Sequence, residues 1–166
     1  MNQVLLDSFV YHGKTILLEW HNALSVDELP DVMWQQVYVV GNLGGQVPTV
    51  LYADAHASLP GGKPEAGESI EATTRRELRE EINYTPNRLT LLFASYLAPG
   101  YSTEYMDVFL ATDLFAAPLE ADDDEFLSVE SIPLAQALTL CQSGGIPDAK
   151  TLAALVLARP HLENRI

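Results

Sequence analysis

A glycine-containing segment followed by a charge-rich, helix-like stretch indicates the fold and the function of this sequence most clearly. Residues 62–84 read GKPEAGESIEATTRRELREEINY. Within them Glu77, Glu80 and Glu81 stand at positions i, i+3 and i+4, and this spacing places three carboxylates on one face of a helix. We therefore predict a helix over residues 68–82 with an acidic face.

Two interpretations of this acidic face are open. Like charges at this spacing cost roughly a few tenths of a kcal/mol per pair, and interleaved Arg75, Arg76 and Arg79 are typical of a solvated, salt-bridged face. The other interpretation is a site for a hard divalent cation, because Mg²⁺ needs only a few carboxylates, water and substrate phosphate. Gly61 and Gly62 fit this second interpretation, since backbone without a Cβ approaches a metal or a phosphate closely. Arg76 is placed to fix one carboxylate through a bidentate pair.

The composition indicates one folded domain over residues 1–166. The chain has 23 acidic and 9 basic residues, a formal net charge of −14, and 48% of its residues are hydrophobic, which is too many for a disordered acidic tail. The acidic surplus argues against a nucleic-acid or membrane-surface binder, because those proteins meet phosphates with Lys and Arg. The lone cysteine, Cys141, excludes an internal disulfide. We see no signal peptide and no apolar run of ~18 residues, and we expect a cytoplasmic protein.

Hydrophobic patterning predicts an α+β fold with a mixed or antiparallel sheet. Strands are predicted over residues 4–11, 15–20, 37–40, 48–52, 89–97, 106–112 and 126–129. Helices are predicted over residues 68–82, 133–142 and 148–159. Gly44 and Gly45 predict a hairpin between the third and fourth strands, and residues 59–64 are predicted to be a loop. Asp148 is predicted to cap the last helix and Pro160 to stop it.

The segment over residues 62–84 resembles the Nudix hydrolases, whose signature is G-x5-E-x7-R-E-U-x-E-E-x-G-U, with U apolar. The matching residues are Gly62, Glu68, Arg76, Glu77, Leu78, Glu80 and Glu81, with Asn83 and Tyr84 in the last two places. Asn83 stands where the family has a glycine that closes the helix, and Asn is the next-best residue for the left-handed conformation expected there. With common residues used at about one in fifteen, such a match arises by chance on the order of once in a hundred million windows. The cation site is therefore the favoured interpretation.

The resemblance implies an α/β/α sandwich around a central mixed β-sheet, and hydrolysis of a nucleoside diphosphate linked to another moiety. In the family, box glutamates bind Mg²⁺ or Mn²⁺, and a metal-activated water attacks phosphorus. Carried over by position, Glu77 and Glu81 are the implied ligands, with Glu80 joining or bridging them. The backbone carbonyl of Gly61 is a further implied ligand, and Gly62 is expected beside the phosphates.

The resemblance also implies roles for the start of the helix. Glu68 is expected to hold the loop through backbone amides and to reach Arg76. Together with Glu80, Arg76 is expected to belong to the catalytic machinery.

Two further stretches resemble the ADP-ribose pyrophosphatase branch of the family. Residues 98–104 read APGYSTE, similar to the branch's S-P-G-x-S-x-E segment. They supply the expected substrate contacts Pro99, Gly100, Ser102 and Glu104. Residues 122–126 (DDDEF) and 144–151 (GGIPDAKT) follow the branch's D-E-D-E-F and G-x-I-x-D-A-K-T patterns. In those enzymes the acidic loop supplies a general base, which must come within about 3 Å of the attacking water; Glu125 and Asp123 are both candidates for it.

Two parts of the chain depart from that branch. Residues 52–59 lack its arginine-rich strand and carry Ser58 in place of a glutamate. Residues 1–35 show no similarity to its amino-terminal strands, which exchange across a dimer in many members. The resemblance therefore covers residues 37–158, and the homodimer is an expectation from the resemblance alone.

Three functions remain open on this basis. The first is hydrolysis of ADP-ribose or an ADP-sugar to AMP and a sugar phosphate. The second is the same chemistry on a dinucleoside polyphosphate, a GDP-sugar or an oxidised nucleotide, which the missing arginine-rich strand keeps open. The third is a nucleotide-sensing module without activity, and the complete set of glutamates argues against it.

Overall fold

The computed structural model describes residues 4–11, 14–21, 35–51, 57–98, 102–119 and 128–163. The strands are β1 (Val4–Tyr11), β2 (Lys14–His21), β3 (Gln35–Gly41), β4 (Gln46–Leu51), β5 (Ala57–Ser58), β6 (Gly61–Gly62), β7 (Tyr84–Tyr96), β8 (Tyr105–Ala116) and β9 (Ser128–Pro133). The helices are α1 (Ile70–Ile82), α2 (Leu134–Ser143) and α3 (Ala149–Glu163). None of the helices in the described ranges is long and apolar enough to cross a membrane. The predicted α+β class is confirmed.

The strands form three sheets, of which the central one is mixed. Its order is β6-β3-β8-β7, with β3 parallel to β8 and the other two pairs antiparallel. β4 pairs with β5 and with β9, and β1 and β2 form a separate antiparallel pair. The parallel pairing places Val37 opposite Asp107, seventy positions later in the chain. α1 lies in the intervening chain and connects the two halves of the sheet.

Helices cover both faces of the central sheet. Alternate residues of a strand point to opposite faces. Val39 packs in one apolar cluster with Leu78 and Ile82 of α1. Its neighbour Val40 packs in a second cluster with Leu155 of α3. The arrangement is the α/β/α sandwich that the resemblance implied.

The ends of α1 are set by two capping residues. The Ser69 side chain accepts the backbone N–H of Ala72 at 3.2 Å, which satisfies one of the free amides of the first turn. The helix therefore begins at Ile70, two residues later than predicted. At its other end Asn83 adopts the left-handed conformation with φ 64°, as predicted for the place where the signature has glycine.

The predicted hairpin between β3 and β4 is confirmed at its turn, where Leu43 and Gln46 exchange backbone hydrogen bonds of 2.9 and 3.1 Å, but the predicted pairing of the two strands is wrong. Gly44 and Gly45 do turn the chain, both with positive φ, but the two strands enter different sheets. Both edges of β3 are already occupied, by β8 on one side and β6 on the other. A strand with two paired edges and buried side chains on both faces has no place for a hairpin partner.

Two other predictions are corrected by tertiary contacts. Residues 59–64 were predicted to be a loop without regular structure, but Gly61 and Gly62 pair with β3 as a short strand. A Cβ at Gly61 would overlap the carbonyl oxygen of Val37, so glycine permits this pairing. α3 does not stop at Pro160 but continues to Glu163. Leu162, 4% exposed, packs into the core there, and this burial offsets the hydrogen bond that proline cannot donate.

The cap of α3 is confirmed and provides a stability test. Asp148 accepts the backbone N–H groups of Lys150 and Thr151, and it pairs with Lys150 Nζ at 2.8 Å. Burial acts to raise the pKa of Asp148, but the hydrogen bonds from Lys150 and Thr151 lower it overall. Asp148→Ala is expected to lower the free energy of unfolding by about 1 kcal/mol at neutral pH, measured by denaturant unfolding.

The pH dependence separates the charge of this cap from its geometry. Because the pKa of Asp148 is lower in the folded chain, its charge stabilises the fold above the unfolded-state pKa and the effect is lost as the pH falls below about 4. Asp148→Asn keeps a capping oxygen without the charge, so it should cost less than Asp148→Ala. Equal stability of the wild type and Asp148→Ala at neutral pH would contradict the capping role.

Candidate active site

Arg76 is the centre of the charged cluster on α1. Its Nη1 lies 2.7 Å from Glu80 Oε2 and 3.0 Å from Glu77 Oε1. Its Nε and Nη2 each lie 3.1 Å from an oxygen of Glu68, and Nη2 also donates to the Lys63 carbonyl at 2.9 Å. One guanidinium group therefore joins the start of the helix to its acidic face. The predicted contact between Glu68 and Arg76 is confirmed.

Glu68 anchors this arginine and the loop before it. Its carboxylate accepts the backbone N–H of Glu65 at 3.0 Å and the Thr73 hydroxyl at 2.9 Å. The hydrogen bond from Arg76 is the main reason why the pKa of Glu68 is lowered to about 2, with burial acting in the opposite direction. Burial acts to lower the pKa of Arg76, but its bonds to Glu68 and Glu80 raise it overall. Both groups are therefore charged at neutral pH.

Two other carboxylates of α1 are buried against the glycine strand β6. Glu77 is 8% exposed and Glu81 is 6% exposed. Glu81 Oε2 accepts the backbone N–H of Gly61 at 2.7 Å. A Cβ added at Gly62 would overlap the carboxylate of Glu77. Glycine is needed at both positions, because only backbone without a side chain lets the two buried carboxylates lie this close to the strand β6.

The donor chemistry of this corner fits a hard divalent cation. Neighbouring buried carboxylates are costly unless positive charge or hydrogen bonds compensate them. Within the described ranges no three acidic, His or Cys side chains stand together as a complete ligand set, and Arg76 engages both Glu77 and Glu80. Mg²⁺ needs only one or two carboxylates when water and substrate phosphate supply the rest. Glu77 and Glu81 meet that requirement.

Two predicted substrate contacts lie in the connection from β7 to β8. The Ser102 side chain accepts the backbone N–H of Glu104 at 3.1 Å, within a closed turn. β8 begins at Tyr105, opposite Gln35 of β3, and β3 pairs with Gly62 two residues further along. Ser102 and Glu104 therefore lie at the same end of the central sheet as the glycine strand, with β3 between β8 and β6.

The chain that enters the acidic stretch is bound to the carboxyl-terminal end of α1. Arg79 Nε donates to the Ala117 carbonyl at 3.1 Å, and the Arg79 carbonyl accepts the Leu119 N–H at 3.3 Å. The Asn83 carbonyl accepts the Ala117 N–H at 3.0 Å. Four predicted site residues lie outside the described residues, namely Pro99, Gly100, Asp123 and Glu125.

Sequence reasoning missed two of these contributors. Arg79 was seen only as an interleaved charge, and its contact is with the main chain 38 positions away, which leaves no trace in local spacing. Thr73 left a weak signal. Glu68 stands just before the Ser69 cap and Thr73 is the fourth residue after it, and side chains at these two positions often contact each other at the start of a helix. That signal was available from the sequence.

Known proteins resemble this chain over most of its length. Residues 37–155 match the family described as NUDIX domain. An ADP-ribose pyrophosphatase of Bacillus subtilis (strain 168) is 43% identical over 99 residues, which are 58% of this chain and 54% of that protein. A GDP-mannose pyrophosphatase of Yersinia pestis (strain Pestoides F) is 31% identical over 153 residues, which are 90% of this chain and 72% of that protein. The chain thus spans about half the length of the first of these relatives.

A solved structure has the same fold. The crystal structure of an ADP compounds hydrolase superposes with a TM-score of 0.74 at 23% sequence identity. The superposition covers 99% of this chain and 95% of that one. The sandwich of mixed sheet and helices is therefore shared over the whole domain.

Proposed function

The chain belongs to the Nudix family, and on this premise we propose that it hydrolyses the diphosphate bond of a nucleoside diphosphate linked to another moiety. The proposed reaction converts ADP-ribose or an ADP-sugar to AMP and a sugar phosphate. The observation that carries this proposal is the burial of Glu77 and Glu81 against Gly61 and Gly62. A pure binding module gains no stability from two buried carboxylates of like charge.

We propose that Glu77 and Glu81 hold Mg²⁺ or Mn²⁺, with the backbone carbonyl of Gly61 as a further ligand and Glu80 joining them. Members of the family generally need a divalent metal. A cation bound there supplies charge neutralisation on the diphosphate and lowers the pKa of water. Arg76 contacts Glu77 and Glu80 directly, which restricts their orientation before a cation binds, although a closer pairing would occupy the oxygens that a cation needs.

The proton of the attacking water is proposed to go to Glu125 or Asp123. The bond from the Leu119 N–H to the Arg79 carbonyl supports this assignment, because it holds the last described residue before the acidic stretch beside α1. A base must reach within about 3 Å of the water, directly or through one bridging water. The pH–rate profiles of Glu125→Gln and Asp123→Asn will identify the base, since only loss of the base removes the acidic limb, along which activity rises as the base gives up its proton.

Two nucleotides are candidates for the substrate. The Bacillus relative and the pattern of residues 98–104 and 144–151 support an ADP compound. The proposed contacts are Gly62, Pro99, Gly100, Ser102 and Glu104. A GDP-sugar is the second candidate, because the Yersinia relative aligns over 90% of this chain.

A substrate panel tests these alternatives directly. The purified chain is incubated with Mg²⁺ and ADP-ribose, GDP-mannose, a dinucleoside polyphosphate or an oxidised nucleotide, and released phosphomonoester is measured. We expect kcat/KM for ADP-ribose to exceed that for GDP-mannose by at least about tenfold, which corresponds to about 1.4 kcal/mol of transition-state discrimination. The reverse order would favour the GDP-sugar. No hydrolysis of any substrate would leave only the sensing module.

We also propose that residues 1–166 form one Nudix domain and work as a homodimer in the cytoplasm, with residues 1–35 contributing to the interface. The exposure of Val10 on β1 supports a contribution of residues 1–35, since 70% of this apolar residue is accessible to a partner. Sedimentation that shows a monomer at working concentration would contradict the dimer.

A further inference from the structure

Thr73 occupies the first turn of α1 and has no contact with solvent. Its residue is 0% exposed. The hydroxyl lies 2.9 Å from Glu68 Oε2 and 3.0 Å from the Ser69 carbonyl oxygen. One hydroxyl has one proton, so that proton is shared between a helix carbonyl and the carboxylate that anchors Arg76.

The next residue provides an internal comparison. Thr74 is also 0% exposed, and its hydroxyl donates to the Ile70 carbonyl at 2.7 Å. A bond to the carbonyl four residues back is the ordinary behaviour of a helical threonine. Both threonines therefore make the ordinary helix contact, and Thr73 differs by its additional contact with Glu68.

The position of Thr73 matters because Glu68 is held by few groups. Its carboxylate takes hydrogen bonds from Arg76, from the Glu65 N–H and from Thr73. Of these, only the Thr73 hydroxyl comes from a fully buried side chain within the helix itself. It therefore limits the rotation of the Glu68 carboxylate relative to the helix.

Rotation of Glu68 would be transmitted through Arg76. The guanidinium group divides its N–H donors among Glu68, Glu77 and Glu80. If Glu68 takes up fewer of them, Arg76 is free to pair more closely with Glu77 and Glu80. An arginine held there competes with a divalent cation for the same carboxylate oxygens.

We propose that Thr73 is a positioning residue whose hydroxyl orients Glu68, and through Glu68 sets how firmly Arg76 engages Glu77 and Glu80. This inference rests on the proposed function. The family signature leaves the position unspecified, since residue 73 falls among the seven free places before Arg76. The signature therefore assigns no role to residue 73.

The test compares Thr73→Val with Thr74→Val, which removes an equally buried hydroxyl from the same helix. Mn²⁺ binding is measured on the nucleotide-free full chain by the electron paramagnetic resonance signal of free Mn²⁺, and kcat and KM are measured with ADP-ribose. Thr73→Val should weaken Mn²⁺ binding and lower kcat by about 10- to 100-fold each, with KM changed by less than about threefold. Thr74→Val should stay within about twofold of the wild type, and Thr73→Ser should restore most of the loss.

The possible outcomes decide the inference separately from the proposed function. Equal losses in Thr73→Val and Thr74→Val, or wild-type Mn²⁺ affinity in Thr73→Val, would overturn it. Failure of Thr73→Ser to restore Mn²⁺ affinity would overturn it too, because the serine keeps the hydroxyl. If the wild type hydrolyses none of the substrates, the proposed function fails, while the Mn²⁺ measurement still decides the role of Thr73.

Discussion

Replacing Glu81 with glutamine is expected to lower turnover by more than about 1,000-fold, or about 4 kcal/mol, because it removes a charged ligand from the proposed cation site. The fold should survive the change. Glu81 Oε2 accepts the Gly61 N–H at 2.7 Å, and a glutamine oxygen can accept the same bond. Steady-state kinetics at saturating Mg²⁺ measures the effect.

Thermal unfolding with and without Mn²⁺ identifies the cause of this loss. The wild type should gain stability from the cation and Glu81→Gln should gain little, since only a bound ligand stabilises the folded chain. Without cation, Glu81→Gln should be no less stable than the wild type, because a neutral amide ends the repulsion with Glu77. Glu71→Gln is the matched control, since Glu71 lies on the same helix and pairs with Arg75 at the surface. Full activity of Glu81→Gln would refute the ligand assignment.

Gly62→Ala is expected to have the second-largest effect, a loss of about 100-fold in kcat. The added methyl group would overlap the Glu77 carboxylate, so this side chain must move away from the glycine strand. A displacement of about 1 Å at a reacting centre costs about this much. The overlap is with the end of a side chain and not with backbone, and the fold should therefore tolerate it.

A double-mutant cycle with Glu77→Ala tests this explanation. Once the carboxylate is absent, the new methyl group has room, and the stability cost of Gly62→Ala should fall to within about 0.5 kcal/mol of zero. The cost is measured by denaturant unfolding of all four variants. An unchanged cost in the Glu77→Ala background would show that another contact, such as the pairing of Gly62 with Val37, is responsible.

Local chemistry made much of the fold predictable. The helix, its acidic face and its left-handed end at Asn83 follow from spacing and from the preferences of single residues. The predicted pairing of β3 with β4 was wrong because strand pairing depends on residues far along the chain. β3 pairs instead with β8, where Val37 lies opposite Asp107. The prediction that α3 stops at Pro160 was wrong for a similar reason. The burial of Leu162 in the core keeps the helix going, and the local sequence pattern does not show this burial.

The candidate site likewise has contacts that the sequence predicted and contacts that it did not. The family signature predicted that Arg76 and Glu68 meet, and the structure shows the contact. The support for that pair was not predicted, because the contact of Thr73 with Glu68 leaves only a weak signal in the sequence. The role of Arg79 was missed because every residue has a main-chain carbonyl, so the sequence does not indicate that Arg79 binds the carbonyl of Ala117.

The parallel pairing of β3 with β8 controls when the site can form during synthesis. β7 and β8 are adjacent in sequence and close a hairpin early, whereas β3 must wait for a partner seventy positions later. β6 and α1 lie between β3 and β8 in the sequence and are synthesised before β8. The sheet against which Gly61 and Glu81 meet is therefore complete only once β8 has left the exit tunnel.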